Sequence, residues 1–437
     1  MNVVSPIPPG PGPGRYFMLR MHMTPGKTHI ARNLVEMAAD PGTVPCRAPE
    51  TAQHHHTEGH HAMHHAPIPA RPALSFALRS LQLLALLLAL AIPAAARDLW
   101  TPEQAVSWAA AQPWMAGGNY TPRTAINQLE MWQAATFDAK TIDEEFGWAE
   151  AVGYTTFRVF LHDLLWQQDA KGFLTRIETV LALAEKHHIR LMLVFFDACW
   201  DPNPQLGPQR APKPHVHNSG WMQSPGRAVN ADPVKQDALK DYVVGVISHF
   251  KADRRIVLWD LFNEFDNGYR GKDTEQVLRL AAKAKEWALS ADPSQPVSFC
   301  IWENCAAPYE KLSPAQRFQV DNSDVVTFHA YTDPAHTSES ITALRRYKRP
   351  LICTEYMARP TGSTILDVLP LFKKEGISAY QWGFVDGKTQ TKFPWDSSSK
   401  AYGDEPPVWF HELLHGDGTP YNPAETALIR SLTGVAH

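Results

Sequence analysis

The sequence predicts an α/β fold, a single (β/α)8 TIM barrel that occupies residues 97–437. From Trp114 onward, short apolar runs alternate with helical patterns, which is typical of βα units around a parallel sheet. Most of these runs are apolar at nearly every position, as strands buried on both faces are. An open doubly wound sheet is the alternative, but no Gly-rich phosphate loop follows the first run.

Eight of the apolar runs are predicted strands, which is the number that closes such a barrel. The predicted strands are Trp114–Tyr120, Thr155–Leu161, Arg190–Asp197, Arg255–Phe262, Val297–Trp302, Val325–Tyr331, Leu351–Tyr356 and Ile377–Phe384.

Segments with helical spacing of apolar residues separate the strands, for example Ile177–Ala184 and Val277–Trp287. Residues Thr141–Glu144 have the form of a capping box, which predicts that a helix begins there, and Gly153 is expected to end it. The pair Asn422–Pro423 predicts the start of a last helix.

Two further segments precede the barrel. Residues 1–70 are rich in Pro, Gly and His, which indicates a disordered leader or a segment upstream of the natural start codon. Residues 71–96 are typical of a signal peptide, because two Arg precede the apolar run Leu81–Ile92 and Ala94–Ala96 offers a small-residue cleavage site. We therefore expect a secreted or periplasmic protein that begins near Arg97; an uncleaved membrane anchor is the alternative.

Composition excludes some partners. A net charge of −4 gives no reason to expect a nucleic acid or an anionic membrane surface as partner. Of five Cys, Cys46 lies in the leader, and Cys199, Cys300, Cys305 and Cys353 have no CxxC spacing. We expect buried thiols, although one or two disulfides remain open. The oligomeric state is also open.

Polar residues stand at the carboxyl ends of the predicted strands, where barrel enzymes carry their catalytic groups. The residues at these ends are Asn119, Arg158, Asp197, Asn263, Glu264, Trp302, His329, Tyr331, Glu355 and Trp382. A single such residue would carry little weight, but a series from eight strands is hard to explain by fold maintenance alone.

Glu264 and Glu355 each come directly after apolar strand residues, on strands four and seven. Cleavage of a glycosidic bond needs two carboxyl groups, and a separation of about 5–5.5 Å gives retention of configuration. Tyr331 can donate a hydrogen bond from its hydroxyl to one of the two carboxylates. Trp382 can form the floor under a sugar ring. The sequence therefore predicts two catalytic glutamates and an oligo- or polysaccharide substrate.

The remaining strand-end residues have predicted supporting roles. Asn263 can donate to a sugar hydroxyl, and Arg158 can keep a carboxylate ionised. His329 can bind a hydroxyl or orient Glu264. Asn119 and Trp302 complete the predicted substrate-binding set.

These motifs resemble those of the clan A glycoside hydrolases, particularly family 5-like enzymes. That clan has Arg at the end of strand two, Asn-Glu at strand four, a His or aromatic pair at strand six, Glu at strand seven and Trp at strand eight. The corresponding residues here are Arg158, Asn263 with Glu264, His329 with Tyr331, Glu355 and Trp382. The resemblance covers roughly residues 113–437 and implies a retaining mechanism, with Glu264 as acid/base and Glu355 as nucleophile.

The sequence departs from the best-known cellulases at two places. Phe265–Asn267 follow Glu264, where those enzymes usually have Pro, and Asp197–Trp200 end the third strand in place of a plain His. The Pro-rich insert 201–233 is expected to cover part of the cleft. These departures leave the sugar, the linkage and endo or exo action open among β-glucan, mannan and xylan.

Two competing hypotheses come from other classes. A non-catalytic carbohydrate-binding barrel predicts the loss of one glutamate, and both are present. A metal-dependent hydrolase would need clustered His and Asp, whereas His162, Asp197 and His329 are scattered along the sequence. We therefore expect no metal and no cofactor.

Overall fold

The computed structural model describes residues 96–269 and 271–434, without the side chain of Lys272. The predicted leader, nearly all of the predicted signal peptide and Cys46 lie outside the described residues. Those predictions and the domain range 97–437 stay predictions.

Eight parallel strands form a closed barrel in which each strand pairs with the next and β1 pairs with β8. The strands are β1 (Ala116–Tyr120), β2 (Thr156–Phe160), β3 (Arg190–Asp197), β4 (Ile256–Asn263), β5 (Val297–Ile301), β6 (Val326–Ala330), β7 (Leu351–Tyr356) and β8 (Ser378–Gln381). The predicted TIM barrel is confirmed, and the open sheet is wrong.

The bounds of β3 and β7 are those that the sequence predicts. The largest difference is at β8, which ends at Gln381 although the apolar pattern continues to Phe384. Gly383 has a φ of 76°, and this left-handed turn leads the chain out of the sheet. An apolar pattern does not reveal such a turn.

Helices separate the strands. The α-helices are α1 (Pro102–Ala110), α2 (Gln128–Trp132), α3 (Ala139–Val152), α4 (Asp163–Lys186), α5 (Arg227–Asn230), α6 (Pro233–Asp237), α7 (Lys240–Phe250), α8 (Thr274–Ser290), α9 (Pro314–Asp321), α10 (Pro334–Leu344), α11 (Ile365–Glu375) and α12 (Pro423–Thr433). Short 3₁₀ helices lie at Gly271–Asp273, Tyr309–Lys311, Arg345–Tyr347, Arg359–Thr361 and Trp395–Ser398. None of the helices in the described part of the chain is long and apolar enough to cross a membrane.

One predicted helix start was wrong. Helix α3 begins before Thr141, because the Asp138 side chain accepts from the Thr141 amide at 3.1 Å and caps the helix. Gly153 ends α3 in the left-handed region, as predicted, and Asn422 caps α12.

The two ends of the barrel differ in polarity, and this difference positions the site. At the amino-terminal end, Met115, Leu258 and Tyr380 belong to a buried apolar cluster that Trp108 of α1 packs against. Polar side chains are instead gathered at the carboxyl end, where Asn119 and Asn263 are buried within the protein. The apolar end supports the fold and leaves the carboxyl end for chemistry.

The insert 201–233 folds back over the carboxyl end of the barrel. Ser224 bridges to Asp197 at the end of β3, and the Asn218 amide donates to the Thr389 carbonyl at 2.8 Å. The insert therefore meets the segment that follows β8. This agrees with its expected place over part of the cleft.

Candidate active site

The two predicted glutamates meet at the carboxyl end of the barrel. Glu264 follows β4, Glu355 lies within β7, and each is less than 10% exposed. One oxygen of each carboxyl group and one ring nitrogen of His329 all lie within 4.8 Å of one another. The fold thus brings together three groups from strands four, six and seven.

Glu355 is surrounded by hydrogen-bond donors. Arg158 Nη1 donates to Oε1 at 2.8 Å, and the Tyr331 hydroxyl donates to Oε2 at 2.8 Å. Burial raises the pKa of Glu355, while His329 and Arg158 oppose that shift. Both oxygens accept hydrogen bonds and a guanidinium lies beside one of them, so these contacts stabilise the ionised carboxylate against the effect of burial.

Arg158 is fully buried and acts as the centre of a polar network. Its guanidinium also donates to Asp260, to the Asn119 side-chain oxygen and to the Asn263 side-chain oxygen, at 2.7–3.0 Å. Removing one partner of such a buried pair costs about 3–5 kcal/mol, because the other charge stays buried without compensation. Arg158 therefore holds Glu355 from within the barrel.

Asn119 was predicted to bind substrate, but its side chain is engaged within the protein. Its amide nitrogen donates to the carbonyls of Thr354 and Gln381 at 2.8 and 3.0 Å, and its oxygen accepts from Arg158. This geometry favours a positioning role. Asn263 is similarly placed, since its amide nitrogen donates to Asp197 at 3.0 Å.

Glu264 has a different environment from Glu355. His329 Nδ1 lies 2.7 Å from Oε1, and Asn267 Nδ2 and Cys199 Sγ lie 2.7 and 3.3 Å from Oε2. Burial raises the pKa of Glu264 to about 7, although the Asn267 and Cys199 hydrogen bonds lower it. Burial also lowers the pKa of His329 to about 4, so this imidazole is neutral near pH 7. Glu264 is thus a carboxyl group that can carry a proton near neutral pH.

Cys199 and Asn267 were missed by the predicted set of site residues. Burial raises the pKa of the Cys199 thiol well above its ordinary value, so the thiol keeps its proton and can donate it to Glu264. Both residues belong to the two departures from the family pattern. These two departures were the only signals in the sequence that pointed to Cys199 and Asn267. They do not reveal which side chain contacts Glu264.

The two predicted tryptophans lie in different surroundings. Trp302 is half-buried, and its indole nitrogen donates to Asp266 at 2.8 Å. Trp382 is half-buried and meets the rings of Phe160 and Trp221 edge-on, with both centroid distances at 5.8 Å. Trp382 also lines a pocket together with Asn119.

The four cysteines in the described residues are free thiols, and those at 300, 305 and 353 are buried. The expected buried thiols are confirmed for these three. The disulfides that the sequence left open do not form within the described part of the chain.

Glu264, His329 and Glu355 are also the one group among the described residues whose atoms could together hold a metal ion. Neither His162 nor Asp197 joins that group. All three members already have partners in the protein. His329 and Glu264 contact each other, and Glu355 accepts from Arg158 and Tyr331. A guanidinium beside Glu355 disfavours a second cation at the same carboxylate.

Comparison with solved structures shows the same barrel in glycoside hydrolases. A variant of GH5_18 from Streptomyces cattleya, in complex with Manβ1-4GlcNAc, is 13% identical with a TM-score of 0.51, over 73% of this chain and 80% of that one. The exo-β-1,4-mannosidase Op5Man5 from Opitutaceae bacterium strain TAV5 is 17% identical with a TM-score of 0.51, over 75% of this chain and 60% of that one. At these identities the likeness shows the fold. No family model and no curated protein sequence matches this chain.

Proposed function

We propose that this protein is a retaining glycoside hydrolase that cleaves β-linked glycans by double displacement. The observation that carries this proposal is the pair of buried carboxyl groups, Glu264 and Glu355, which have different hydrogen-bond partners at the carboxyl end of the barrel. Glu264 can hold a proton near pH 7, while Glu355 accepts from Arg158 and Tyr331. Two carboxyl groups with divided roles are what glycoside hydrolysis needs.

The spacing of the two glutamates supports retention over inversion. Their nearest oxygens lie within 4.8 Å, whereas inverting enzymes keep the carboxyl groups about 6.5–9.5 Å apart to admit a water molecule. With less room, Glu355 is suited to attack the anomeric carbon itself. The product of hydrolysis would then keep the β configuration.

The proposed reaction has two steps. Glu355 attacks the anomeric carbon while the bond to the leaving oxygen breaks, and Glu264 transfers its proton to that oxygen. Glu264, now ionised, then takes a proton from water as the water attacks the glycosyl-enzyme and releases Glu355. His329 Nδ1, at 2.7 Å from Glu264, can orient that carboxyl group in both of its protonation states.

For the substrate we propose a β-glucan, mannan or xylan type of glycan, with β-mannosides as the first class to test. One of the two structural relatives is in complex with Manβ1-4GlcNAc and the other is an exo-β-1,4-mannosidase, and this is the reason for that order. We also propose that the protein is exported, because residues 71–96 have the pattern of a signal peptide.

The test is a screen of the purified protein against aryl β-glycosides and against β-glucan, mannan and xylan. We expect turnover of at least one β-glycoside, with the β-anomer as the first product in the proton NMR spectrum. A first product with the α configuration would contradict double displacement. Binding of a polysaccharide without turnover would instead support a non-catalytic carbohydrate-binding barrel.

Chelation should leave this activity unchanged. The proposed chemistry uses two carboxyl groups, and Arg158 rather than a cation balances the charge of Glu355. Turnover should therefore be the same before and after treatment with EDTA and gel filtration. Loss of activity that Zn²⁺ or Ca²⁺ restores would overturn the prediction.

Removal of the Cys199 thiol should change the pH profile. The Cys199 hydrogen bond lowers the pKa of Glu264, so Cys199→Ala should raise that pKa and move the alkaline limb of kcat/KM to higher pH. Cys199→Ser keeps a donor and should restore the limb toward its original position. Cys305→Ala is the matched control, because that thiol is buried and donates to the backbone carbonyls of Ile301 and His329 rather than to a carboxyl group. A limb that moves to lower pH in Cys199→Ala would contradict the assigned contact.

A further inference from the structure

The connections at the carboxyl end of the barrel are long on one side and short on the other. The insert 201–233 follows β3, and residues 382–422 lie between β8 and α12. After β6, by contrast, α10 begins at Pro334, and after β4 the chain enters a helix at Gly271. In the closed ring, β8, β1, β2 and β3 are consecutive and lie opposite β4 to β7. The two long connections therefore stand on the half of the barrel that carries neither glutamate.

Hydrogen bonds join these two long connections to each other. Gln390 Nε2 donates to the Lys213 carbonyl at 2.8 Å, and the His215 N–H donates to the Gln390 side-chain oxygen at 2.8 Å. We call the two joined segments, residues 201–233 and 382–422, the roof.

The connection that follows β1 holds the roof from a third side. Asn127 Nδ2 donates to the Gly220 carbonyl at 2.8 Å, and Lys388 Nζ forms an ion pair with Glu130 at 2.6 Å. Trp221 of the roof is buried. The roof is thus fixed to the barrel by contacts from three connections.

Little space is left between the roof and the barrel beside Trp382. The pocket there is lined by Asn119 and Phe160 of the barrel and by Trp221 and Thr389 of the roof. Its volume is about 20 Å³, which is room for about one water-sized group. The Trp221 ring meets the Trp382 ring edge-on, with the centroids 5.8 Å apart. A sugar ring does not fit into this space.

The side of Glu264 is open in comparison. The Cys199 thiol lies 3.3 Å from Glu264 Oε2, and the next residue, Trp200, is 44% exposed. Asn304, in the connection after β5, is also exposed. In the proposed reaction Glu264 protonates the leaving oxygen, so the leaving part of the glycan extends toward this open side.

We propose that the enzyme acts at chain ends and releases one sugar at a time from the non-reducing end of a β-linked glycan. This inference rests on the proposed function. The sugar attached to Glu355 has its anomeric carbon toward Glu264, so its opposite end points away from β4 and toward the roof. A second sugar on that end would need space where the roof packs on the barrel. The leaving chain can instead extend past Trp200 into solvent.

The first experiment follows the products from a β-linked tetrasaccharide of a sugar that the enzyme cleaves as an aryl glycoside, with a label at the reducing end. The first products should be the free monosaccharide and the labelled trisaccharide. The same tetrasaccharide with a bulky cap on its non-reducing terminal sugar should resist cleavage. Early release of a labelled monosaccharide or disaccharide, or internal cleavage of the capped substrate, would overturn the inference.

Trp221→Ala tests whether the roof is the barrier. It removes an indole, which is comparable in size to a sugar ring, from the space beside Trp382. The variant should cleave the capped tetrasaccharide with a kcat/KM about tenfold or more above that of the wild-type protein.

Trp409→Ala is the matched control, because Trp409 is also buried in the roof but stacks on Tyr421, with the ring centroids 4.6 Å apart. It should resist the same substrate as the wild-type protein does, and unfolding temperatures check that both variants are folded. A folded Trp221→Ala that still rejects the capped substrate would overturn the assignment of the barrier to the roof. Internal cleavage by the wild-type protein refutes chain-end action alone, whereas an absence of turnover on every glycoside refutes the proposed function as well.

Discussion

Glu355→Gln is expected to abolish turnover of every substrate, with a fall in kcat of about 10⁴-fold or more, as is typical when a nucleophile is removed. Gln has nearly the same shape as Glu, and its oxygen can still accept from Arg158, so the protein should fold, although with a lower unfolding temperature because one charge of a buried pair is lost. The amide cannot attack the anomeric carbon, because it lacks the negative charge. Steady-state kinetics on aryl glycosides measures this loss, and the unfolding temperature checks that the variant is folded.

The chain offers a matched control for this change. Glu425 is also a buried carboxylate paired with an arginine, and Arg359 donates to its two oxygens at 2.9 and 2.6 Å outside the site. Glu425→Gln should therefore lower stability while leaving kcat close to its wild-type value. Near-normal turnover in Glu355→Gln would show that Glu355 is not the nucleophile.

Glu264→Ala should have an effect that depends on the leaving group. Acid/base catalysis contributes about 10²–10⁴-fold, so glycosides with basic leaving groups should lose that factor in kcat/KM. An aryl glycoside of an acidic phenol needs little protonation, and its first step should survive. The second step then lacks its base, so a covalent glycosyl-enzyme should accumulate, which mass spectrometry of the intact protein can detect.

The pH profile offers a further readout of the same variant. With its pKa raised to about 7, Glu264 loses its proton above that pH, so wild-type kcat/KM should fall on the alkaline side near pH 7. In Glu264→Ala the group is absent, and that limb should disappear for the acidic phenol. If the alkaline limb of kcat/KM is unchanged in Glu264→Ala, a group other than Glu264 is responsible for it.

Added azide should separate the roles of the two glutamates by stereochemistry. In Glu264→Ala, azide can enter the vacated space and attack the glycosyl-enzyme without a base. Two inversions then give the β-glycosyl azide. In Glu355→Ala, azide would attack from the opposite face in one inversion and give the α-glycosyl azide. An α-product from Glu264→Ala would reverse the assignment.

Much of this protein could be predicted from the order of its residues. A strand buried on both faces appears as an unbroken apolar run, so the eight strands and the barrel followed from hydropathy, and the bounds of β3 and β7 were correct. Glu264 and Glu355 stand out because a charged residue interrupts such a run at its end. The parallel arrangement then places both at one edge of the barrel.

The tertiary structure alone decided what each strand-end residue contacts. Asn119 was expected to face substrate, yet it is held in the network around Arg158, because a buried guanidinium must be satisfied by neighbours from several strands. Cys199 and Asn267 reach Glu264 through turns whose direction depends on backbone dihedral angles that carry no hydropathy signal.

The pocket beside Trp382 shows the same limit. Two of its lining residues, Asn218 and Glu412, lie on segments far apart in the chain, and they come together only because the insert 201–233 docks on the segment after β8. Periodicity reports which side of a strand or helix is buried, and it contains no information on which loops meet. The sequence by itself therefore determined the barrel and the strand-end positions of Glu264 and Glu355, whereas the packing of loops over the barrel decided the surroundings that set the pKa values of these two carboxyl groups.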